Sequence, residues 1–153
     1  MNPSPPNDAI PGVLPHDWAP PAIDQTNRAW FTSGVLALQQ CAACRGLQHP
    51  PEEICHQCGS MEFVTRTVAP TGTVYSYTIV RHAVHPALEG SLPYAVVLVA
   101  LDEVPQVRVV GNLLGVASGE VTIGLAVEAT WEERQTEDRV VVLLPQWRRR
   151  KDP

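Results

Sequence analysis

The chain has 153 residues, 44 % of them hydrophobic, which is enough for one main core with a small module beside it; a domain of this size hides roughly 68–70 % of its unfolded surface. Charged residues make up only 18 % and prolines number 15, against averages of about 25 % and about 5 %, which excludes a helical bundle and a charged disordered tail. Eleven basic against sixteen acidic residues leave a net charge of −5, so the chain offers no general attraction to phosphate backbones or anionic lipid.

The first 23 residues hold Pro3, Pro5, Pro6, Pro11, Pro15, Pro20 and Pro21. Proline fixes φ and removes a backbone donor, so neither a helix interior nor a sheet ladder forms here. An extended arm is expected. Trp18 and Ile23 give it apolar surface that lies against a partner or the chain's own body; plain disorder is the competing reading. No basic region followed by an apolar stretch precedes Asp24, so the sequence reads as cytoplasmic. No apolar run approaches the roughly 20 residues of a transmembrane helix, and the longest, Ala95 to Leu101, suits a buried strand.

From Asp24 the pattern predicts one short helix, with Asp24 or Thr26 as cap, Ala29, Trp30 and Ser33 on a narrow face, and Gly34 as its left-handed stop. Val35 to Gln40 alternates, with Leu36 and Leu38 on one side, and leads into Cys41. After the last cysteine come consecutive strands: Phe63 to Val68; Thr73 to Arg81, with Tyr75, Tyr77 and Ile79 on one face; Tyr94 to Leu101; and Gln106 to Leu114, with a bend or bulge at Gly111. Val121, Ile123, Leu125, Val127, Ala129 and Trp131 alternate with polar or small residues and predict a one-sided strand. Arg139 to Leu144 supplies the last strand before Pro145. About five barrel strands with little helix between them predict a small closed barrel of OB type, because closure removes exposed edges. A β-sandwich needs roughly seven.

Cys41-Ala-Ala-Cys44 and Cys55-His-Gln-Cys58 carry the strongest chemical signal. Two residues between thiols let one turn present both sulfurs to a metal, and two such knuckles complete a tetrahedron. The ten intervening residues turn back through Gly46 and Pro50-Pro51. Two disulfides would suit an exported protein, and a redox C-x-x-C would need a thioredoxin-like setting; the tandem pairs read instead as a ligand set. Iron fits four thiolates as well as zinc does. Four thiolates leave no open position, so the metal is expected to be structural.

His49 and His56 lie inside this module and read as loop histidines, not ligands. Arg81, His82 and His85 gather at a strand end, where an HxxH pair binds metal or moves protons only if acidic or thiol partners join it. Arg148-Arg149-Arg150-Lys151 reads as a basic tail, either solubilising or holding a phosphate group or an acidic partner. Trp131 and Trp147 would serve as stacking platforms on an OB surface, though Trp131 lies in register with the apolar face. The chain has no GxSxG, phosphate loop, HExxH or dinucleotide fingerprint, and no catalytic set is read from it.

The order of these features resembles a known family, the zinc-ribbon plus OB-fold accessory proteins, formerly a domain of unknown function, that accompany thiolase-like and steroid-aldolase enzymes. The resemblance covers about Asn27 to Trp147. It rests on Trp30-Phe31, Gly34-Val35-Leu36, the four cysteines, Pro50-Pro51, Cys58-Gly59-Ser60, Gly72 to Thr78, Pro93-Tyr94, Leu101-Asp102-Glu103 and Ile123 to Val127. Arg45, where the family often has glycine, and His56, where proline is common, depart from it. The resemblance implies a mainly β chain: an N-terminal helix and rubredoxin-like zinc ribbon, then a five-stranded OB-fold barrel. It also implies a non-catalytic subunit in a hetero-oligomer with a thiolase-superfamily acyltransferase or aldolase, shaping an acyl-CoA site. The expected division is 1–23 arm, 24–61 helix and ribbon, 62–147 barrel, and 148–153 basic tail. Two further readings stay open: an OB module for single-stranded nucleic acid, which the acidic balance opposes, and a free acyl-CoA-binding protein.

Overall fold

The structure, a computed structural model, describes residues 12–151; the expectations for the start of the arm and for Asp152 and Pro153 lie outside them. One helix, α1 (Arg28–Thr32), precedes eight strands. Three of these, β1 (Leu36–Cys41), β2 (Leu47–Gln48) and β3 (Phe63–Val68), form an antiparallel sheet in the order β2-β1-β3. The other five, β4 (Thr71–Val80), β5 (Tyr94–Leu101), β6 (Arg108–Leu114), β7 (Ala126–Gln135) and β8 (Val141–Arg149), close a barrel in the order β4-β5-β6-β8-β7. Closure runs through a parallel contact, Leu113 with Trp147 and Leu114 with Arg148. This mainly β, five-stranded OB-type architecture is the one the strand pattern predicts.

The helix starts on a reciprocal turn: Asn27 N–H donates to Asp24 Oδ1 at 2.8 Å, and Asp24 N–H to Asn27 Oδ1 at 3.0 Å. Gly34 ends it at φ +69°, a conformation costly for any residue with a Cβ. Leu36 and Leu38 on β1 and Val68 on β3 join Val97, Val99, Val127 and Trp147 of the barrel in one core cluster.

The structure corrects the sequence reading at four places. Phe63–Val68 is not a barrel strand: all six residues pair with Leu36–Cys41, so the chain enters the barrel only after Pro70. The alternation from Val121 is a strand only in its second half. Gly124 at φ +88° and the Leu125 N–H bonded to the Thr122 carbonyl make its first half a turn, with Ile123 71 % exposed. Gly111 marks no bulge but a close approach, since a Cβ there would stand 2.9 Å from Trp147 Cδ1.

The last strand does not stop at Pro145 and runs on to Arg149. Pro145 is tolerated because its pairing is with β7 alone, opposite Trp131; on the other side the Gln146 side chain takes over, its Oε1 accepting from Asn112 N–H at 2.6 Å. The first two residues of the basic tail, Arg148 and Arg149, are therefore strand. Arg148 bonds Glu128 at 2.9 Å and Arg150 bonds Asp102 at 2.8 Å.

Arm residues Val13 to Trp18 lie against the barrel and its loops. Arg134, 6 % exposed, donates to the carbonyls of Leu14 at 2.8 Å and Pro15 at 3.0 Å, with Glu132 beside it to balance its charge. Ser91 Oγ donates to the Val13 carbonyl at 2.9 Å, and Trp18 meets His85 edge-on.

Candidate metal centre and adjoining groove

The two knuckles are built alike. In the first, Arg45 N–H donates to the Cys41 carbonyl and Cys41 N–H to the Gly46 carbonyl; in the second, Gly59 N–H donates to the Cys55 carbonyl and Cys55 N–H to the Ser60 carbonyl. Each turn thus needs a left-handed residue just after its second cysteine. Gly59 supplies it at φ +74°, while Arg45 is held there at φ +67°, a conformation costing a non-glycine residue about 1–2 kcal/mol.

The structure brings the four sulfurs of Cys41, Cys44, Cys55 and Cys58 within 4.8 Å of one another. Cys41 and Cys58 sulfurs stand 3.6 Å apart, as do those of Cys44 and Cys55. A zinc tetrahedron with Zn–S near 2.3 Å has edges of about 3.8 Å, so the donor set fits that ion closely. Backbone amides prepare the charge. The Cys44 N–H, 3.5 Å from Cys41 Sγ, is the main reason that thiol is lowered to about 6. In the second knuckle the Cys58 and Gln57 amides likewise lower Cys55. Against the Gly46 amide, burial and the neighbouring Cys55 push Cys44 up to about 11. In each knuckle the surroundings thus favour ionisation of the first cysteine over the second, and the cation would draw off the protons that remain.

Around the sulfurs, glutamines take the place of an apolar core. Buried Gln48 donates to Gln39 Oε1 at 2.7 Å and to the Ile54 carbonyl at 3.3 Å, and its Oε1 accepts from His56 N–H. Gln39 in turn spans Glu52, accepting from its N–H and donating to its carbonyl. The hydrophilic lining ties β1 to the approach and start of the second knuckle through the backbone of Glu52, Ile54 and His56.

The histidines separate by environment. His56 is exposed and outside the sulfur cluster. His49 packs on Trp30 with ring centroids 4.3 Å apart; burial lowers it to about 4, so it is neutral at pH 7. Its Nδ1 is buried without a hydrogen-bond partner. His82 is exposed, and His85 accepts from Ala87 N–H at 3.1 Å, capping the turn Pro86–Ser91. No third ligand joins this pair among the described residues. Trp147 is fully buried and Trp131 packs on the core, so Trp147 is no stacking platform.

Sequence reasoning missed a groove of about 620 Å³ where helix, ribbon, arm and barrel meet, walled by Leu14, Trp30, His49, Val96, Val110 and Leu144. Its only advance signal was the unbroken apolar run of β5. Such a run fills both faces of a strand and leaves Val96 outside the core.

Residues 32–64 match the family model described as the ChsH2 rubredoxin-like zinc ribbon domain, and residues 65–132 match that described as the ChsH2 C-terminal OB-fold domain. The chain is 42 % identical over 128 residues to a "Probable enoyl-CoA hydratase alpha subunit" of Thermomonospora curvata, covering 82 % of this chain and 39 % of that protein. It is 33 % identical over 129 residues to the "3-oxo-4,17-pregnadiene-20-carboxyl-CoA hydratase alpha subunit" of Mycobacterium tuberculosis, covering 79 % and 40 %. It therefore spans about two fifths of the length of these curated relatives. Among solved structures, a chain of an "Ltp2-ChsH2(DUF35) aldolase" is 41 % identical with a TM-score of 0.70, covering 85 % of this chain and 98 % of that one.

Proposed function

The chain belongs to the ChsH2 family of zinc-ribbon and OB-fold proteins, and on that premise we propose that it is a non-catalytic accessory subunit of a thiolase-superfamily enzyme. That enzyme would be an acyltransferase or aldolase acting in the cytoplasm on acyl-CoA, and this chain stabilises it and helps shape its acyl site. The observation that carries the reading is the likeness, over 98 % of its length, to a chain from an aldolase named for two components.

In this reading Cys41, Cys44, Cys55 and Cys58 hold a zinc ion whose four positions are filled by protein. The ion fixes the ribbon and takes no part in the reaction. By holding β1 against β3, the ribbon places His49 and Pro50 on one wall of the groove, opposite Val96 and Val110 of the barrel. A mostly apolar groove at a junction of structural units is where ligands and partner surfaces are commonly held. A neutral His49 adds to this wall no charge that would have to be desolvated.

Affinity purification of the chain from its native cell tests the proposal. It should bring down a thiolase-fold enzyme that is inactive or insoluble when produced alone and active when co-expressed with this chain. A stable lone monomer, with no such enzyme recovered, would overturn it. Titrations of the isolated chain with CoA and with a single-stranded oligonucleotide across salt separate the two competing readings. The buried Trp147 and the paired Arg148 and Arg150 weigh against the oligonucleotide.

A further inference from the structure

β4 is ten residues long, yet it closes the barrel only at its start, where Thr71, Gly72 and Thr73 pair with Glu128, Val127 and Ala126. Val74 continues that side, donating to the Leu125 carbonyl at 3.0 Å and accepting from Gly124 N–H at 2.7 Å. A bulge between Val74 and Ser76 then bends the strand away, because an extra residue sharpens the local twist. From Ser76 to Val80 the strand pairs with β5, and no strand among the described residues pairs with the other edge of Tyr75–Val80.

Beyond that bulge the edge has no further defence of its own. Exposed edges are ordinarily blunted by lysine, proline or shortness, but Tyr75-Ser76-Tyr77-Thr78-Ile79-Val80 carries neither charge nor proline. Tyr75 is 48 % and Tyr77 40 % exposed, Ser76 and Thr78 are exposed, and the adjoining turn presents Ile123. Aromatic and β-branched residues are those that hold neighbouring strands.

We infer that the free edge of β4, Tyr75–Val80, is a strand-addition site for an extended segment of a different polypeptide whose ends carry carboxylates. Backbone donors and acceptors along an edge are matched in register by another extended chain, which sets the occupant's conformation. Charge sets its ends. Arg81 follows the segment directly, Arg108 lies 3.7 Å over the Tyr75 ring near its start, and neither forms an ion pair among the described residues. A second copy of this chain is the wrong occupant: antiparallel self-pairing would set Arg81 of one copy beside Val74, and so near Arg108, of the other. Like charges facing across strands are destabilising. The partner enzyme proposed above is the natural donor of the segment, and to that extent the site rests on that reading.

Hydrogen–deuterium exchange on the full chain, free and in complex with the co-purified enzyme, reads the edge amide by amide. The outward amides of Tyr75–Val80 should exchange freely in the free chain and slow by roughly 100-fold in the complex. Ser76→Glu with Thr78→Glu, on exposed side chains, should leave melting and metal content unchanged and weaken the complex about tenfold or more, since the new carboxylates both charge the edge and repel the acidic segment. Amides already protected in the free chain would overturn the site. So would unprotected amides in a complex that forms, and this outcome leaves the accessory-subunit reading standing. If no complex is recovered that reading falls, and titration of the free chain with the peptide acetyl-Asp-Val-Thr-Val-Tyr-Val-Glu-amide decides the edge. Amide shifts confined to β4 support the site, and their absence ends it.

Discussion

Between Cys41 and Cys58 the chain fully buries Cys41, Gln48 and Cys55 alone, with Leu47 and His49 partly buried, whereas the barrel buries Val97, Val99, Leu101, Val127, Val142 and Trp147 completely. Fixing a backbone costs about 1–2 kcal/mol per residue, and three buried side chains, one of them a glutamine, do not offset that over such a stretch. The ribbon must therefore draw its stability from metal–thiolate bonds, and the barrel draws its own from apolar burial. Two neighbouring sheets that share a core at Leu36, Leu38 and Val68 are held by different forces, and each should fail under its own perturbation.

Removing the metal should have the largest effect and divide the two regions most sharply. Structural zinc contributes on the order of 10 kcal/mol in small zinc modules. A strong chelator, or Cys55→Ser, should release the ion and unprotect the amides of 41–58 in hydrogen exchange while the barrel amides stay protected. Simultaneous loss of both would show that the barrel depends on the ribbon. The complementary break is Trp147→Ala, which should cost about 3–5 kcal/mol in urea unfolding, as large-to-small core changes do. It should leave the metal stoichiometry of the folded protein at one.

Where the regions touch, pH sharpens the comparison. His49 is lowered from 6.5 to about 4 by burial, so as pH falls through that window the unfolded chain takes up its proton first. The contribution is complete above about 6.5, falls away towards 4 and is flat below. A loss of about 3 kcal/mol is expected over the window, and His49→Phe, which keeps a ring against Trp30, should remove that slope relative to the unmodified chain. The smallest effect belongs to Arg45→Gly. Relief of a left-handed arginine at φ +67° should stabilise the ribbon by about 1 kcal/mol, seen as slower metal loss to a competing chelator with barrel unfolding unchanged.

The metal centre was legible because its information is local. Cys41, Cys44, Cys55 and Cys58 are spaced so that each turn presents two sulfurs whatever the rest of the chain does. The strand alternation of Tyr94–Leu101 was legible for the same reason, since side chains on a strand alternate by geometry alone. Local pattern misled where a distant partner decided the outcome. Val121 to Leu125 alternates as well as Val127 to Trp131 does, but the Val74 backbone captures Gly124 and Leu125 and holds the first half as a turn. Pro145 reads as a stop, yet Gln146 meets the bond that a ladder would have made.

Arg134 shows the same limit more strongly. Nothing in its neighbourhood marks it as the buried clamp of the arm, because the carbonyls it holds belong to Leu14 and Pro15, over a hundred positions earlier.

By itself, then, the sequence determined a mainly β chain with a four-thiolate module, a proline-rich arm and a five-stranded barrel, because spacing, alternation and backbone geometry act over a few residues. Only the tertiary structure decided that Phe63–Val68 completes the ribbon sheet, that Arg148 and Arg150 are paired and not free, that His49 is neutral, and that β4 leaves the barrel with an open edge. Each of these depends on which backbone and which charge the closed fold brings within a few ångströms, and that follows from contacts between segments far apart in the chain.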